Sequence, residues 1–597
     1  MSKRSLIAMF AVFMLVIGIA GSGAALAQTP ASSPSGTGKI TFTIGTTGDM
    51  VSPNPFKACC GSEYEMMFLA YDQLFNFSQD TLEPTEGLAY FPPEESADGK
   101  TWTFKIRSGV KWSDGQPVTA KDIAFTFNFV WKMKLAAFNN YIGYPASFQA
   151  PNDTTFVWKM ERPSTAPLVP PWVPIVPEHI WGKFMSSDAK TIKEFENVPA
   201  VGSGPFVLQE WEQGRYWKME ANKSYWMGAP HIDEVIFRVY DTPEALKLAL
   251  VNGEVDAAEA LPPTIFQSLE GIGNITRNVS APSYWDNLAF NFVGTADPSL
   301  QDLDVRLAIA HAINKQAIVD RVMLGFGSVG ESVVLPTYSR WYWQPEESEV
   351  IGYDPEKAKA LLDQAGYRDV NNDGWRERSN GDPWQMQILT ISEVTYSVPE
   401  GKLINGWLND IGIHTTLKTV SESKAYDIWL GQDFDMYVWG MGADPDPDFV
   451  LSMFTKGQCG SWSDGCWSNS TYEKMYTQQH TVINIDERVE LVKKMQQFLY
   501  EQSPDVITVY ENDLQAYRND RFTGFVKQPQ PVGSIFFAFG PYSYLNIRPV
   551  SATSEGDGSG GGISPAVWIV VVVVALLIIV GAVLMMRRRK TAAEEHE

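Results

Sequence analysis

Between residues 39 and 550, stretches of alternating apolar and polar positions take turns with stretches of helical period, separated by breaks rich in Pro, Gly, Asn and Asp. Ile40, Phe42 and Ile44 alternate with threonines and predict a first strand, and residues 63–75 read as a helix. Further on, Trp102, Phe104 and Ile106 point one way and Thr103, Lys105 and Arg107 the other, a half-buried strand that turns at Ser108 and Gly109. Thr119 with Asp122 three residues later predicts a capping box opening a helix that runs to about Met133. Residues 163–177 are proline-rich and predict an extended crossing, and residues 202–206 turn the chain into a strand through Val207 and Leu208. Thr242 caps a helix ending at Asn252 and Gly253, before a short strand from Val255. Residues 304–324 predict a helix pair broken near Asn314, and Asp354 caps another helix stopped at Gly366. Residues 399–410 and 486–501 are amphipathic helices. Strands and helices alternate throughout, so the class is α/β, and no period of 20 to 50 residues suggests a solenoid or propeller.

The densest apolar strand, residues 434–439, leads into Gly440, Gly442 and then Asp444, Pro445, Asp446, Pro447 and Asp448. Proline ends a ladder and fixes a rigid turn. Carboxylates at the mouth of a buried strand, beside Trp439 and Trp462, suit the charged or polar end of a ligand. An Asx-rich turn with solvated acids accounts for the same residues.

At 597 residues the chain exceeds one core, and both ends carry addressing signals. Lys3 and Arg4, the apolar run 6–20 and Ala25-Leu26-Ala27 form a secretory signal peptide over residues 1–27, followed by a spacer over 28–38. Residues 550–564 read as a flexible linker, 565–586 as an uncharged membrane span, and 587–597, opening with Arg587 to Arg589 and Lys590, as a cytoplasmic tail. The expected topology is an external body tethered to the cell surface by one C-terminal helix. A net charge of −23 makes phosphate-backbone binding a poor fit, so no nucleic-acid partner is expected. Six sequons, at Asn76, Asn152, Asn222, Asn274, Asn278 and Asn469, are compatible with a surface glycoprotein. Of the four cysteines, Cys459 and Cys466 bracket a short loop and predict a disulfide, while adjacent Cys59 and Cys60 leave their pairing open.

Other constellations carry less. Gly325, Gly327 and Gly330 match GxGxxG but follow a helix and read as a loop. Asp369, Asn371, Asp373 and Gly374 open like a calcium loop, yet its twelfth position is Asn380, so a surface turn is the better reading and weak calcium binding the alternative. The six histidines are scattered, and His311 lies among apolar residues as a packed side chain. Zinc-protease, phosphate-loop and nucleophile-elbow motifs are missing, so no cofactor, metal or catalytic residue is assigned and a non-enzyme is expected.

Four stretches, 107–126, 202–206, 304–313 and 439–449, resemble the family 5 solute-binding proteins of ABC transporters, the oligopeptide- and dipeptide-binding group. The resemblance covers roughly residues 39–549 and, with its C-terminal anchor, fits an archaeal-like form. It implies a two-lobed clamp of the periplasmic-binding-protein kind (class II, cluster C) that closes on its ligand. Lobe I would comprise 39–80, 200–286 and 514–549, with an extra domain at 81–199, and lobe II 287–513. In peptide-binding relatives an aspartate in the matching turn pairs with the peptide's α-ammonium, and the matching residue here is Asp444. Sugar-binding relatives exist as well, and this chain has 20 Trp and 23 Tyr, which stack on sugars or fill peptide pockets. Trp439, Trp462, Trp467, Tyr284 and Trp285 are the aromatic ligand-contact candidates. The implied partners are a small peptide or oligosaccharide, permease subunits and the membrane. The alternative is a surface-anchored hydrolase of sugars or peptides, for which no isolated carboxylate pair stands out.

Overall fold

One mixed sheet of eleven strands carries most of the chain. The computed structural model describes residues 38–550, apart from 58–60, 166, 168–172, 443 and 537–538. The signal peptide, most of the spacer, the linker, the 565–586 span, the tail, Cys59 and Cys60, and part of the proline-rich crossing therefore lie outside the described residues. Among the described residues no helix is long and apolar enough to cross a membrane.

In chain order the strands of this sheet are β1 (Thr41–Thr46), β2 (Phe206–Glu212), β3 (Tyr216–Ala221), β4 (Glu234–Val239), β5 (Ala257–Ala258) and β6 (Ile275–Phe290). There follow β7 (Gly327–Val329), β8 (Gln385–Ile391), β9 (His414–Val420), β10 (Met436–Gly442) and β11 (Asp505–Arg518). Their spatial order is β9-β8-β10-β6-β11-β5-β1-β4-β3-β2, with β7 paired to β11. β1 runs parallel to β4 and β5, and β8 parallel to β9 and β10. In the middle, β6 and β11 pair antiparallel and are 16 and 14 residues long. A typical strand has about 5–6 residues, so these two reach through both halves of the sheet. Their register shifts between Val279 and Pro282, Pro282 and Tyr284, and Asp286 and Asn287. Such irregularities bend a strand and increase its twist. They fall between two separate cores: Ile275 packs with Leu246, Phe266 and Leu514, whereas Leu288 packs with Val305, Ile388, Ile404 and Val438.

Local signals place the helices. Thr119 and Asp122 form the predicted capping box at the start of Ala120–Met133. Thr242 caps Pro243–Asn252, Asn314 caps Lys315–Arg321 after Leu303–Ala312, and Asp354 caps Pro355–Gln364. His311 is 5% exposed and its Nδ1 lies 2.7 Å from the Gly352 carbonyl, a packed histidine as expected. The helix expected over 63–75 is shorter: α1 (Gly61–Ala70) ends where Gly202 and Gly204 press on its last carbonyls. A Cβ on Gly202 would sit 1.9 Å from the Ala70 oxygen, so this crossing admits no side chain. The Gly325–Gly330 stretch, expected as loop, contributes β7 to the sheet because Gly327 and Gly330 allow close backbone approach to β11. The sequons at Asn76 and Asn278 are buried, which disfavours a glycan at either in the folded chain.

A four-stranded antiparallel sheet, formed by Glu94–Glu95, Thr101–Lys105, Thr155–Met160 and Pro145–Asn152, lies beside helix Ala120–Met133. Trp158 is fully buried there, with its ring 4.9 Å from Phe127 and 5.2 Å from Phe148. Removing a buried tryptophan forfeits both its transfer free energy and its contacts, at about 3–5 kcal/mol. Trp158→Ala is expected to lower the unfolding free energy measured in urea by that amount; a loss under about 1 kcal/mol would show that this layer does not share the main cooperative unit.

Candidate ligand-binding site

β10 delivers the chain to the aspartate turn past two glycines that permit contact. A Cβ on Gly440 would meet the Tyr396 hydroxyl at 2.3 Å and Asp286 Oδ1 at 2.8 Å, and one on Gly442 the Tyr284 ring at 3.0 Å. The chain then turns at Asp444, and Asp448 opens the short helix Asp448–Ser452.

The three aspartates of the turn separate by their partners. Asp446 accepts two hydrogen bonds from Arg488, at 2.6 and 2.7 Å, and Arg488 is 2% exposed with its guanidinium 4.8 Å from the Trp341 ring. Arg488 is held further by Gln479 Oε1 at 2.9 Å. Asp448 pairs with His480 at 3.0 Å and accepts from Gln479. Burial pushes its carboxyl up, but His480 and Arg488 outweigh burial and hold it at about 2. Asp444 has no cationic partner among the described residues. It is half-buried and accepts one hydrogen bond, from the Tyr141 hydroxyl at 3.0 Å. Burial raises its carboxyl to about 7, with Asp446 and Asp448 adding to the rise and Tyr141 opposing it.

Aromatic rings extend from this point. Tyr141 stacks on Phe449 at 6.0 Å, and Phe449 meets Trp462 edge-on at 5.3 Å. The predicted Cys459–Cys466 disulfide closes the loop that carries Trp462. A cavity of about 750 Å³ adjoins the turn, lined among others by Thr81, Leu82, Tyr338, Arg340, Pro445 and Asp446. That volume falls in the range of small-molecule sites, about 300–1,000 Å³. Arg340 lies in its wall, paired to Glu83 at 3.0 Å and Asp486 at 3.5 Å.

The candidates divide accordingly. Trp462 joins the Asp444 group, and Tyr284 is 38% exposed, cross-strand from Gly442. Trp439 stacks on Tyr437 at 5.6 Å and packs against a separate small core with Ile391 and Ile428. Trp285 is fully buried and Trp467 8% exposed, both in the core with Leu451, Val492 and Tyr510. The structure does not bring Trp285 or Trp467 into the Asp444 group, because strand alternation and the Trp467–Tyr472 contact turn them inward. Tyr141, Phe449, Tyr338 and Arg488 went unread in the sequence. Tyr141 lies 303 residues from its acceptor, and no local pattern reports such a pair.

Asp369, Asp373 and Glu377 lie with carboxylate oxygens within 4.8 Å of one another, an arrangement with room for a hard cation. Glu377 stands at the ninth position of the loop whose twelfth is Asn380, and its carboxylate accepts from Val370 N and Asn371 Nδ2 at 2.9 and 2.7 Å.

The geometry is a cavity of ligand size against the aspartate turn, beside a carboxylate with no cationic partner among the described residues. It suits capture of a cationic or polar group, and it defines a solute-binding clamp. The family model of the bacterial extracellular solute-binding proteins, family 5 Middle, matches residues 83–462, and the chain belongs to that family. It is 25% identical over 445 residues to the oligopeptide-binding protein AppA of Bacillus subtilis, covering 71% of this chain and 78% of the relative. It is 24% identical over 508 residues to the dipeptide-binding protein of Escherichia coli, covering 80% and 90%. The structure of AppA in complex with a nonapeptide superposes with a TM-score of 0.73 at 21% identity, over 85% of this chain and 99% of that one. The mannohexaose-bound oligopeptide-binding protein of Thermotoga maritima does so with a TM-score of 0.72 at 22% identity, over 86% and 99%. The fold is the two-lobed periplasmic-binding-protein clamp of cluster C, with a mixed sheet.

Two stability predictions follow from the charges. Asp446→Asn strands the buried Arg488 and should cost about 3–5 kcal/mol, while Asp444→Asn should leave the melting temperature unchanged or higher; equal losses would contradict the division of roles. Burial also raises the carboxyls of Asp72, Asp256 and Asp464 to about 6, Asp513 to about 7 and Glu400 to about 8. The folded chain thus binds more protons than the unfolded one between about pH 4 and 8, and stability falls as pH rises through that window. The melting temperature should be higher at pH 5 than at pH 8, and a rise toward pH 8 would contradict these assignments.

Proposed function

We propose that this chain is the external, membrane-tethered solute-binding component of an ABC importer and takes oligopeptides through their α-ammonium group. The carrying observation is that Asp444, alone of the turn's three aspartates, has no cationic partner among the described residues. An ammonium offers what the turn lacks, a charge-assisted bond in a partly desolvated place. Asp446 and Asp448, neutralised within the turn, hold its shape.

In this reading residues 39–80, 200–286 and 514–549 form lobe I, residues 81–199 an added domain, and 287–513 lobe II. Tyr141 would bring the added domain onto Asp444, so that closure and capture share one contact. Trp462 and Tyr284 are the aromatic contacts retained, with Trp439 at the margin. Ligand selects the closed form by touching both lobes. A signal peptide would export the body, the linker would let it move between capture and docking, and the C-terminal helix would hold it by its permease at the outer face of the membrane.

A second reading, oligosaccharide capture, draws on the Tyr141–Phe449–Trp462 row, since ring faces stack on sugars. Calorimetry on the full chain with alanine oligopeptides, their N-acetyl forms and mannohexaose separates the two. The peptide reading expects binding that N-acetylation or Asp444→Asn weakens by roughly 2–5 kcal/mol. Binding of mannohexaose alone, or peptides indifferent to N-acetylation, would overturn it.

A further inference from the structure

A second cluster of acidic side chains lies beside the Asp444 turn. Gly442, Tyr284 and Glu511 are register partners on the neighbouring strands β10, β6 and β11. Two strand spacings of about 4.8 Å place Glu511 roughly 10 Å across the sheet from the approach to Asp444. Asp286 follows Tyr284 on the same face of β6, as Asp513 follows Glu511 on β11. Glu259 comes in after β5, Glu65 from α1 and Glu400 from helix Ser397–Asp410, whose carboxylate accepts from Thr508 at 2.6 Å.

Some carboxylates elsewhere meet a cation, as Glu331 meets Lys315, Asp297 meets Arg378 and Asp446 meets Arg488, whereas Asp72, Asp464 and the half-buried Asp505 lie against neutral groups. Glu259, Asp286, Glu400, Glu511 and Asp513 have no ion pair among the described residues. Asp286 is 0% exposed and its carboxyl faces the acid of Glu511 and the Tyr396 hydroxyl, Glu259 likewise faces Glu65, and Glu400 Oε2 is buried without a hydrogen-bond partner among the described residues. Burying a carboxylate without a partner is costly, and the cost is repaid when a cation arrives. The band is open on one side: Glu511 and Asp513 are half-buried, and Tyr284 between them and the turn is partly exposed.

We propose that this band is a second anionic subsite, which takes a cationic side chain of the solute whose α-ammonium sits on Asp444. The inference rests on the peptide reading above and narrows it to basic peptides. A solute carrying charge at both poles would span the sheet from the turn to Glu511 and Asp513. An acidic side chain at the same place would face the band unscreened, so selection works by repulsion as well as attraction.

The test compares Ala-Ala-Ala, Ala-Lys-Ala, Ala-Ala-Lys and Ala-Glu-Ala by calorimetry on the full chain at one pH and 0.15 M salt. At least one lysine peptide should bind tenfold or more tighter than the alanine peptide, and the glutamate peptide more weakly than either. In the double variant E511Q/D513N the ratio of lysine to alanine affinity should fall to near one. If the alanine peptide binds and neither lysine peptide binds tighter, the subsite is overturned while the peptide reading stands. If no peptide binds, both fail. A lysine preference that persists in the double variant overturns the assignment to this band. The wild-type ratio decides the matter even if the variant does not fold.

Discussion

The antiparallel pairing of Ile275–Phe290 with Asp505–Arg518 is the constraint from which the rest follows. Every other strand of the main sheet is added, directly or in series, to one of these two. Because both run out of one apolar core and into another, the sheet is continuous while the packing is not. The register shifts near Pro282 and Asp286 lie at that change, where a ladder is weakest and a bend costs least. The acids of the cleft are attached to this same middle stretch. The fold therefore puts its register irregularities and a cluster of buried acids in one place.

The Asp444 turn depends on a different kind of restraint. Two prolines fix its backbone, two glycines let β10 press against Tyr396 and Tyr284, and the buried Arg488 pins Asp446 with both guanidinium nitrogens. A fully desolvated pair of this geometry holds a turn in register even where its net contribution to stability is small. Its consequence for binding is indirect: with Asp446 and Asp448 committed, Asp444 is displayed with Tyr141 as its one hydrogen-bond donor among the described residues.

What was legible in the sequence was local. Capping residues at Thr119, Thr242 and Asp354 and the alternation at residues 101–106 fixed element type and phase, and the Asp/Pro run marked the turn. The shortened α1 and the added strand at Gly327–Val329 were not legible, since both are decided by close backbone approach of distant glycines. The site was half legible for the same reason. Asp444 and Trp462 lie in or near the turn itself, but Tyr141 reaches it from 303 residues away and Arg488 from 42. Trp285 and Trp467 are ligand-contact candidates by residue type, while their orientation depends on strand phase and on Tyr472. The acid band is the hardest to read, because its members come from five separate segments and no local pattern in any of them marks an acid as buried.

The central claim is that Asp444 receives the solute's amino group. A crystal structure of the chain soaked with an alanine oligopeptide tests it most directly. The account predicts the peptide's terminal nitrogen at about 2.7–2.9 Å from an Asp444 carboxylate oxygen, with the peptide lying against the Tyr141–Phe449–Trp462 row. A peptide bound with its amino terminus elsewhere, and Asp444 still bonded to Tyr141 alone, would contradict it.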